Sequence, residues 1–314
     1  SVPVRLKNYE YFRRYEPGNE YGIYIRRKDK NSQENIIIDV NKLAKGKEFY
    51  QLANWSISPD EKTMTYAEDE SGRRQYTIKF KDLEKDTTSN YSLSNTSGDM
   101  AWSSDGKYLF YVLRNEETLL PFKLFRHELG TSQDQDALVY EEKDTTFYLS
   151  VGNTRSMDYI EVDISSTTSS EVRLIRSNDP TMSPEIFLTR EKDHLYAVDH
   201  DPASSRFLIE SNWKALNFRL LETPIDSFQD KTKWKELIPH REDVLLQSVV
   251  PFPNHLVIME RENGLRHLKI LEKKTQYVKT INFNDPTYSA YLASNPEYES
   301  DRFYFLARRV LKKF

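Results

Sequence analysis

The chain has 314 residues, of which 38% are hydrophobic, 13% aromatic and 30% charged. This length suits two domains or one large closed architecture, and so many apolar and aromatic side chains exclude disorder as the main state. The 45 Lys and Arg against 49 Asp and Glu give a net charge of −4, which provides no general attraction to nucleic acid or to an anionic membrane.

The sequence has no cysteine, which excludes a disulfide scaffold, thiolate metal sites and a cysteine nucleophile. No apolar run approaches the ~20 residues of a membrane span, and residues 1–14 lack a basic segment followed by an apolar one. We therefore expect a soluble, cytoplasmic protein with no cofactor and no nucleic-acid or membrane partner. Because the chain starts at Ser1 and ends abruptly at 310–314, we expect it to be part of a longer protein.

Segments with the two-residue period of β-strands make up most of the chain. Only two short helices are predicted: one runs from an Asp39 cap to Gly46, and a weaker one covers 226–237. The clearest strands are 63–67, 108–112, 206–209 and 255–259.

One unit recurs along the chain, and its parts are a turn, an aromatic-rich strand, a polar hairpin, a second strand and a charged loop. The clearest copies, 55–62 and 102–107, are displaced by about 45 residues, the length of one four-stranded propeller blade. Asp or Ser side chains cap such turns, and Gly or a short polar residue tolerates their positive φ. Weaker copies begin at Ser156, Ala203, Pro253 and Glu299.

With the opening segment from Tyr9, these copies predict an all-β, seven-bladed β-propeller over 1–314. The alternative is a pair of β-sandwiches with accidental spacing. The predicted blades are 9–46, 49–95, 98–143, 146–190, 191–241, 242–285 and 286–314.

The sequence lacks the common motifs of catalytic and nucleotide-binding sites. Gly18 and Gly22 have the spacing of a nucleophile elbow, but Glu20 occupies the serine position, and no phosphate-cradling loop or dinucleotide fingerprint occurs. His194 and His200 flank two aspartates and admit a metal cluster, although a solvated strand and turn is the favoured interpretation. No metal site is predicted.

Two carboxylate groups, Glu141-Glu142 and Glu68-Asp69-Glu70, have the residue types used in glycoside hydrolysis. Neighbouring carboxylates on a strand point to opposite faces, so we interpret both groups as exposed loop charges.

Eight strings in a fixed order carry a resemblance to a known family. The sequence resembles the β-propeller domain of the oligopeptidase B (protease II) group, in the prolyl oligopeptidase family of serine peptidases. The strings are 15–21, 67–76, 118–121, 139–144, 167–174, 192–194, 236–242 and 283–286.

This resemblance implies a seven-bladed propeller that caps an α/β-hydrolase domain, whose Ser, Asp and His triad cleaves short peptides after Arg or Lys. The hydrolase domain is absent from this chain, so no catalytic residue can be assigned. The family's last blade has further strands after the positions of 303–305, whereas here Ala307 runs straight into Arg308. We therefore expect an incomplete last blade.

The resemblance favours a substrate-gating lid that excludes folded proteins, admits short peptides and is inactive alone. Its expected partners are the α/β-hydrolase domain of the same parent protein and short basic peptides. A free-standing protein-interaction propeller is the alternative, and a carbohydrate-active propeller is a third hypothesis. The candidate interface or gating residues, for which blade-to-blade salt links are the competing interpretation, are Arg73, Arg74, Glu141, Glu142, Lys143, Asp144, His240, Arg241 and Glu242.

We predict that the isolated chain has no peptidase activity, because it contains neither a nucleophile elbow nor suitably spaced histidines. Incubation with a fluorogenic peptide ending in Arg should release fluorophore only at the rate of the blank. Turnover that survives repurification and is blocked by a serine-reactive inhibitor would contradict this prediction.

Overall fold

The computed structural model describes residues 1–283 and 287–309. They form two compact units: unit 1 comprises Ser1–Thr167 and Glu171–Phe187, and unit 2 comprises Thr168–Ser170 and the described residues from Leu188 onward. The strands of each sheet follow one another in chain order. Local hairpins therefore provide most of the strand pairing.

Unit 1 contains three sheets. The first joins β1 (Val4–Leu6), β2 (Tyr9–Arg14), β3 (Ile23–Arg27) and β4 (Asn35–Asp39), and helix α1 (Val40–Ala44) follows it. The second joins β5 (Gln51–Ile57), β6 (Thr63–Asp69), β7 (Tyr76–Asp82), β8 (Thr87–Trp102), β9 (Tyr108–Arg114), β10 (Pro121–Glu128) and β11 (Ala137–Glu141). The third joins β12 (Tyr148–Asn153), β13 (Tyr159–Ser165), β14 (Ser170–Arg176) and β15 (Glu185–Leu188).

Unit 2 also contains three sheets. The first joins β16 (Tyr196–Asp201), β17 (Arg206–Ser211), β18 (Arg219–Pro224) and β19 (Lys235–Ile238). The second joins β20 (Val244–Pro251), β21 (His255–Glu262), β22 (Leu265–Glu272) and β23 (Val278–Thr280). The third has two strands in the described residues, β24 (Tyr288–Leu292) and β25 (Phe305–Arg309).

The seven-stranded sheet consists of two blades that share β8. Leu93 and earlier residues of this strand pair with β7, whereas Met100 to Trp102 pair with β9. Between these parts Gly98 has φ of +87°, and a Cβ there would lie 3.1 Å from the Tyr76 ring, so both backbone and packing favour glycine. Counted in this way, the described residues contain seven blades, of which the last has two strands.

The all-β prediction is confirmed, and so is the short helix after Asp39. The Asp39 carboxylate accepts a hydrogen bond from the Asn41 amide at 3.1 Å and thereby caps α1. Strand β1, which pairs with β2, lies ahead of residue 9, where the sequence placed the start of the first blade.

The second predicted helix, over 226–237, is wrong. This segment forms one 3-10 turn, Lys231–Lys233, and then strand β19. The buried indole of Trp234 donates to the Phe228 carbonyl at 2.8 Å, and β19 pairs with β18. Tertiary pairing thus overrides a weak helical propensity.

The repeated turn signature marks the hairpin between the first and second strands of a blade. Ser58 Oγ donates to Asp60 at 2.5 Å and accepts from the Thr63 amide at 2.9 Å. Ser103 repeats this arrangement, with Asp105 at 2.6 Å and the Tyr108 amide at 3.0 Å. The copies predicted from the sequence are therefore structurally equivalent.

Neighbouring sheets within each unit pack through buried apolar side chains. In unit 1, Phe110 and Val112 of β9 share a core with Leu149 and Ile160 of the next sheet. In unit 2, the equivalent core contains residues such as Leu220 of β18. Each such side chain contributes about 1.5–3 kcal/mol through burial, so sheet-to-sheet packing is a major source of stability.

We predict that Ser103→Ala lowers the free energy of unfolding by about 2 kcal/mol, because the buried turn loses its hydroxyl partner. Ser104→Ala is the matched control, since Ser104 is exposed one residue further along. Urea denaturation should separate the two variants, and equal stabilities would show that the hydroxyl is not needed.

Candidate functional site

The candidate residues share a position within their own blades. We call the end of a blade at which the first strand passes into the second its turn end, and the opposite end its loop end. Arg73 and Arg74 lie in the β6–β7 loop, 141–144 end β11 and lead to β12, and 240–242 join β19 to β20. All nine residues are therefore at loop ends, the first two groups in unit 1 and the third in unit 2.

Asp69 shapes the loop that carries Arg73 and Arg74. Its carboxylate accepts hydrogen bonds from the amides of Ser71, Gly72 and Arg74 at 2.8, 3.1 and 2.8 Å. Burial raises the pKa of Asp69, but the hydrogen bonds outweigh burial and hold this pKa below its ordinary value. Both arginines are exposed, and neither forms an ion pair with any residue that the structure describes.

A polar cleft of about 800 Å³ lies beside this loop. Glu68, Asp69, Glu70 and Glu116 contribute carboxylates to it, and Lys79 is its one lysine. This composition suits a cationic ligand group. The remaining lining residues are Ser71, Gln75, Thr77, Ser92 and Asn95.

The interpretation of Glu68 and Asp69 as exposed loop charges is wrong, because they are only 3% and 1% exposed. Glu68 forms an ion pair with Lys79 at 2.8 Å and accepts a hydrogen bond from Tyr50 Oη at 2.7 Å. The hydrogen bond with Glu68 raises the pKa of Lys79. Glu70 is half-exposed and pairs with Lys47 at 2.6 Å. Burial of these carboxylates is possible because each has its own donors.

The segment from Glu141 to Asp144 is a turn stabilised by its own side chains. Glu142 is buried, so its interpretation as an exposed loop charge is wrong, and it accepts hydrogen bonds from Tyr140 Oη and the Asp144 amide, both at 2.8 Å. Glu141 lies 3.6 Å from Lys123 on the adjacent strand. Lys143 is exposed and, among the described residues, its ammonium has no carboxylate within ion-pair distance.

The segment from His240 to Glu242 is tied to the sixth blade. Arg241 forms an ion pair with Glu260 of β21, which also pairs with Lys269 of β22 at 2.6 Å. Because Glu260 is only 3% exposed, Arg241 pairs with a buried carboxylate of its own blade. His240 is half-buried, whereas Glu242 is exposed.

Sequence reasoning missed a repeated group of charges. Glu68 and Glu260 are each the sixth residue of the second strand of their blade, and each pairs with a lysine of the third strand. A residue ahead of the first strand completes both groups, Tyr50 in one and Arg241 in the other. The sequence signal for this group is a glutamate at a shared strand position with a lysine on the next strand.

His194 and His200 lie in a strand and turn as expected, but both are buried rather than solvated. His194 Nε2 is 2.8 Å from Ser211 Oγ, and burial lowers the pKa of this histidine. His200 packs against the ring of Phe207. No group of three or more His, Asp or Glu side chains with the geometry of a metal site occurs within 1–283 and 287–309.

No helix in the described residues has the length and apolar character that a membrane span requires.

Comparison with known proteins defines the class of the fold. A model of the "Prolyl oligopeptidase, N-terminal beta-propeller domain" family matches residues 1–308, so the blades described above are those of a β-propeller domain. The chain belongs to this family, as the sequence resemblance predicted.

Two curated relatives extend this assignment. The chain is 36% identical to dipeptidyl aminopeptidase BI of Pseudoxanthomonas mexicana, with 96% of this chain and 43% of the relative covered. It is 30% identical to protease 2 of Moraxella lacunata, with 96% and 44% covered. The chain therefore spans less than half the length of these relatives.

Solved structures agree with the fold. Oligopeptidase B from Leishmania major matches with a TM-score of 0.92 and 28% identity over 98% of this chain and 45% of that one. Oligopeptidase B from Trypanosoma brucei, with covalently bound antipain in a closed form, matches with a TM-score of 0.88 and 22% identity over 98% and 44%. The predicted resemblance to an oligopeptidase B propeller is confirmed.

We predict that Lys269→Met lowers the free energy of unfolding by about 2–3 kcal/mol, because the buried Glu260 loses one of its two cations. Lys279→Met removes an exposed lysine of the same sheet and should change stability by less than about 0.5 kcal/mol. The measurement is urea denaturation followed by tryptophan fluorescence. Equal effects would show that the Lys269 ion pair contributes nothing to stability.

Proposed function

We propose that this chain is the substrate-gating lid of an oligopeptidase B-like serine endopeptidase and that it is inactive by itself. The observation that carries the proposal is the family match over residues 1–308, combined with coverage of less than half of the peptidases it resembles. The nucleophile, base and oxyanion donors of a serine peptidase would come from an α/β-hydrolase domain of the same parent protein.

In this proposal the propeller acts by excluding large substrates. The innermost strands of a propeller surround a central channel, and a closed lid leaves room for a short flexible peptide but not for a folded protein. Such selection needs no contact with the transition state. The proposed substrates are short peptides cleaved after Arg or Lys.

Charges at the loop ends support docking or gating at this end. Arg73, Arg74 and Lys143 are exposed and form no ion pair within the described residues. The cleft beside the arginines is lined by four carboxylates and one lysine. Glu68 and Glu70 are paired with lysines, so Asp69 and Glu116 keep the negative charge that attracts a cationic peptide. We assign Arg73 and Arg74 to the contact with the hydrolase domain, because an exposed cation can pair there with a carboxylate of the partner.

We predict that the double variant R73E/R74E of the full-length parent enzyme loses at least ~10-fold in kcat/KM for a short Arg-containing peptide, since like charges at a domain contact are repulsive. The matched control is K62E/K107E, which makes the same change in net charge at turn ends, on two exposed lysines. The measurement is steady-state turnover of the short peptide and of a folded protein with exposed arginines.

Two results would contradict different parts of the proposal. Unchanged turnover and size selectivity in R73E/R74E would remove these arginines from the contact and leave the lid function intact. Efficient cleavage of the folded protein by the unaltered parent would overturn the lid function itself and favour an interaction scaffold.

A further inference from the structure

Two arginines in the sixth blade face each other across a hairpin. Arg261 of β21 and Arg266 of β22 are directly opposite in the antiparallel register. The turn between them contains Asn263 and Gly264, whose φ values are +48° and +80°. Like charges at directly opposed positions destabilise a sheet, so this pair has no stabilising role within its own hairpin.

The neighbouring strand adds a phenol to this pair. The guanidinium of Arg266 lies 4.2 Å from the centre of the Tyr291 ring, and Tyr291 is 43% exposed. The hydrogen bond and charge of Arg266, with a smaller effect of Arg261, lower the pKa of Tyr291. The phenol thus lies in a positive local field that is open to solvent.

A third arginine shares this surface. Arg308 of β25 is opposite Ser289 of β24, and Ser289 is two residues from Tyr291. Because side chains alternate along a strand, Arg308 is on the same face of the two-stranded sheet as Tyr291. Arg308 and Arg261 are both exposed.

None of these three guanidiniums pairs with a carboxylate in the described part of the chain. Arg27 and Arg173, by contrast, pair with glutamates at 3.0 and 2.8 Å. Arg266 is held by a neutral partner, because its Nε donates to Gln247 Oε1 at 3.1 Å. This bond orients the guanidinium, whose terminal nitrogens carry enough N–H groups to donate both to Tyr291 and to a further acceptor.

We propose that Arg261, Arg266, Arg308 and Tyr291 form a binding site for a carboxylate group of a peptide. The planar arginine fork matches both oxygens of a carboxylate, and the tyrosine hydroxyl is a further donor beside it. The carboxylate belongs to an Asp or Glu side chain or to the C-terminus of the peptide. Arg261 and Arg266 flank the turn between the second and third strands of their blade, so the site lies at a loop end. It can be tested apart from the proposed lid function, because this chain alone contains all of its residues.

Binding of labelled peptides to the isolated chain tests the proposal by fluorescence anisotropy. Three peptides of equal length are compared. The first has no charged side chains and a free C-terminus, the second has a central Asp-Glu pair and an amidated C-terminus, and the third has no charged side chains and an amidated C-terminus. At least one of the first two should bind ~10-fold or more tightly than the third, and which of them binds identifies the source of the carboxylate. Equal binding of all three, or binding of none up to about 1 mM, would overturn the proposal.

Variants locate the site. R261Q/R266Q should weaken carboxylate binding at least ~10-fold, whereas the control K62Q/K107Q, with the same change in net charge on two exposed lysines at turn ends, should leave it unchanged. R261Q alone should also weaken binding and, because it removes a like-charge pair, should raise the urea midpoint, so binding lost in this variant would not reflect unfolding. Equal weakening in both double variants would show a non-specific charge effect and contradict the site.

A spectroscopic measurement on the unaltered protein completes the test. A bound carboxylate reduces the positive field, so saturating peptide should raise the pKa of Tyr291 in an ultraviolet titration of tyrosinate. The signal of this residue is identified by its loss in Tyr291→Phe. A titration unaffected by the peptide would place binding elsewhere.

Discussion

The hydroxyl group that closes the first hairpin of a blade is the constraint on which the rest of the sheet depends. Ser58, Ser103 and Thr154 each accept a hydrogen bond from the backbone amide five residues later, at 2.9, 3.0 and 3.2 Å. This bond fixes which residues of the first and second strands are opposite one another. A slip of one residue would move every core side chain to the opposite face, so the turn determines which side chains reach the core.

When the second strands are aligned in this register, the buried glutamates occupy a position that is apolar in two other blades. The sixth residue of the second strand is Leu113 in the third blade and Ile164 in the fourth, but it is Glu68 in the second blade and Glu260 in the sixth, where it pairs with a lysine of the third strand. A buried ion pair is often no more stabilising than an apolar residue of similar volume. Here each carboxylate also contacts a residue of the linker that enters its blade, Tyr50 or Arg241. The buried glutamate therefore fixes the position of that linker.

Local patterns predicted the features that local interactions determine. Alternation, the turn copies and the Asp39 cap all depend on residues within a few positions of one another. The helix over 226–237 was mispredicted because pairing with β18 lies outside any local window. Glu68 was assigned to an exposed loop because its partner Tyr50 is 18 residues away. The arginine pair of β21 and β22 was missed because its repulsion is apparent only once the register is known.

The two ends of the second and third blades differ in whether their exposed cations form ion pairs, and this difference bears on function. At the turn ends, Lys62 pairs with Glu84 at 3.5 Å and Lys107 with Asp105 at 3.7 Å, so both lysines are paired locally. At the loop ends, Arg73, Arg74 and Lys143 have no such partner among the described residues. Exposed pairs contribute little to stability, so folding alone does not require this asymmetry. An end with unpaired cations and a carboxylate-lined cleft is instead suited to complementary charges from outside the chain.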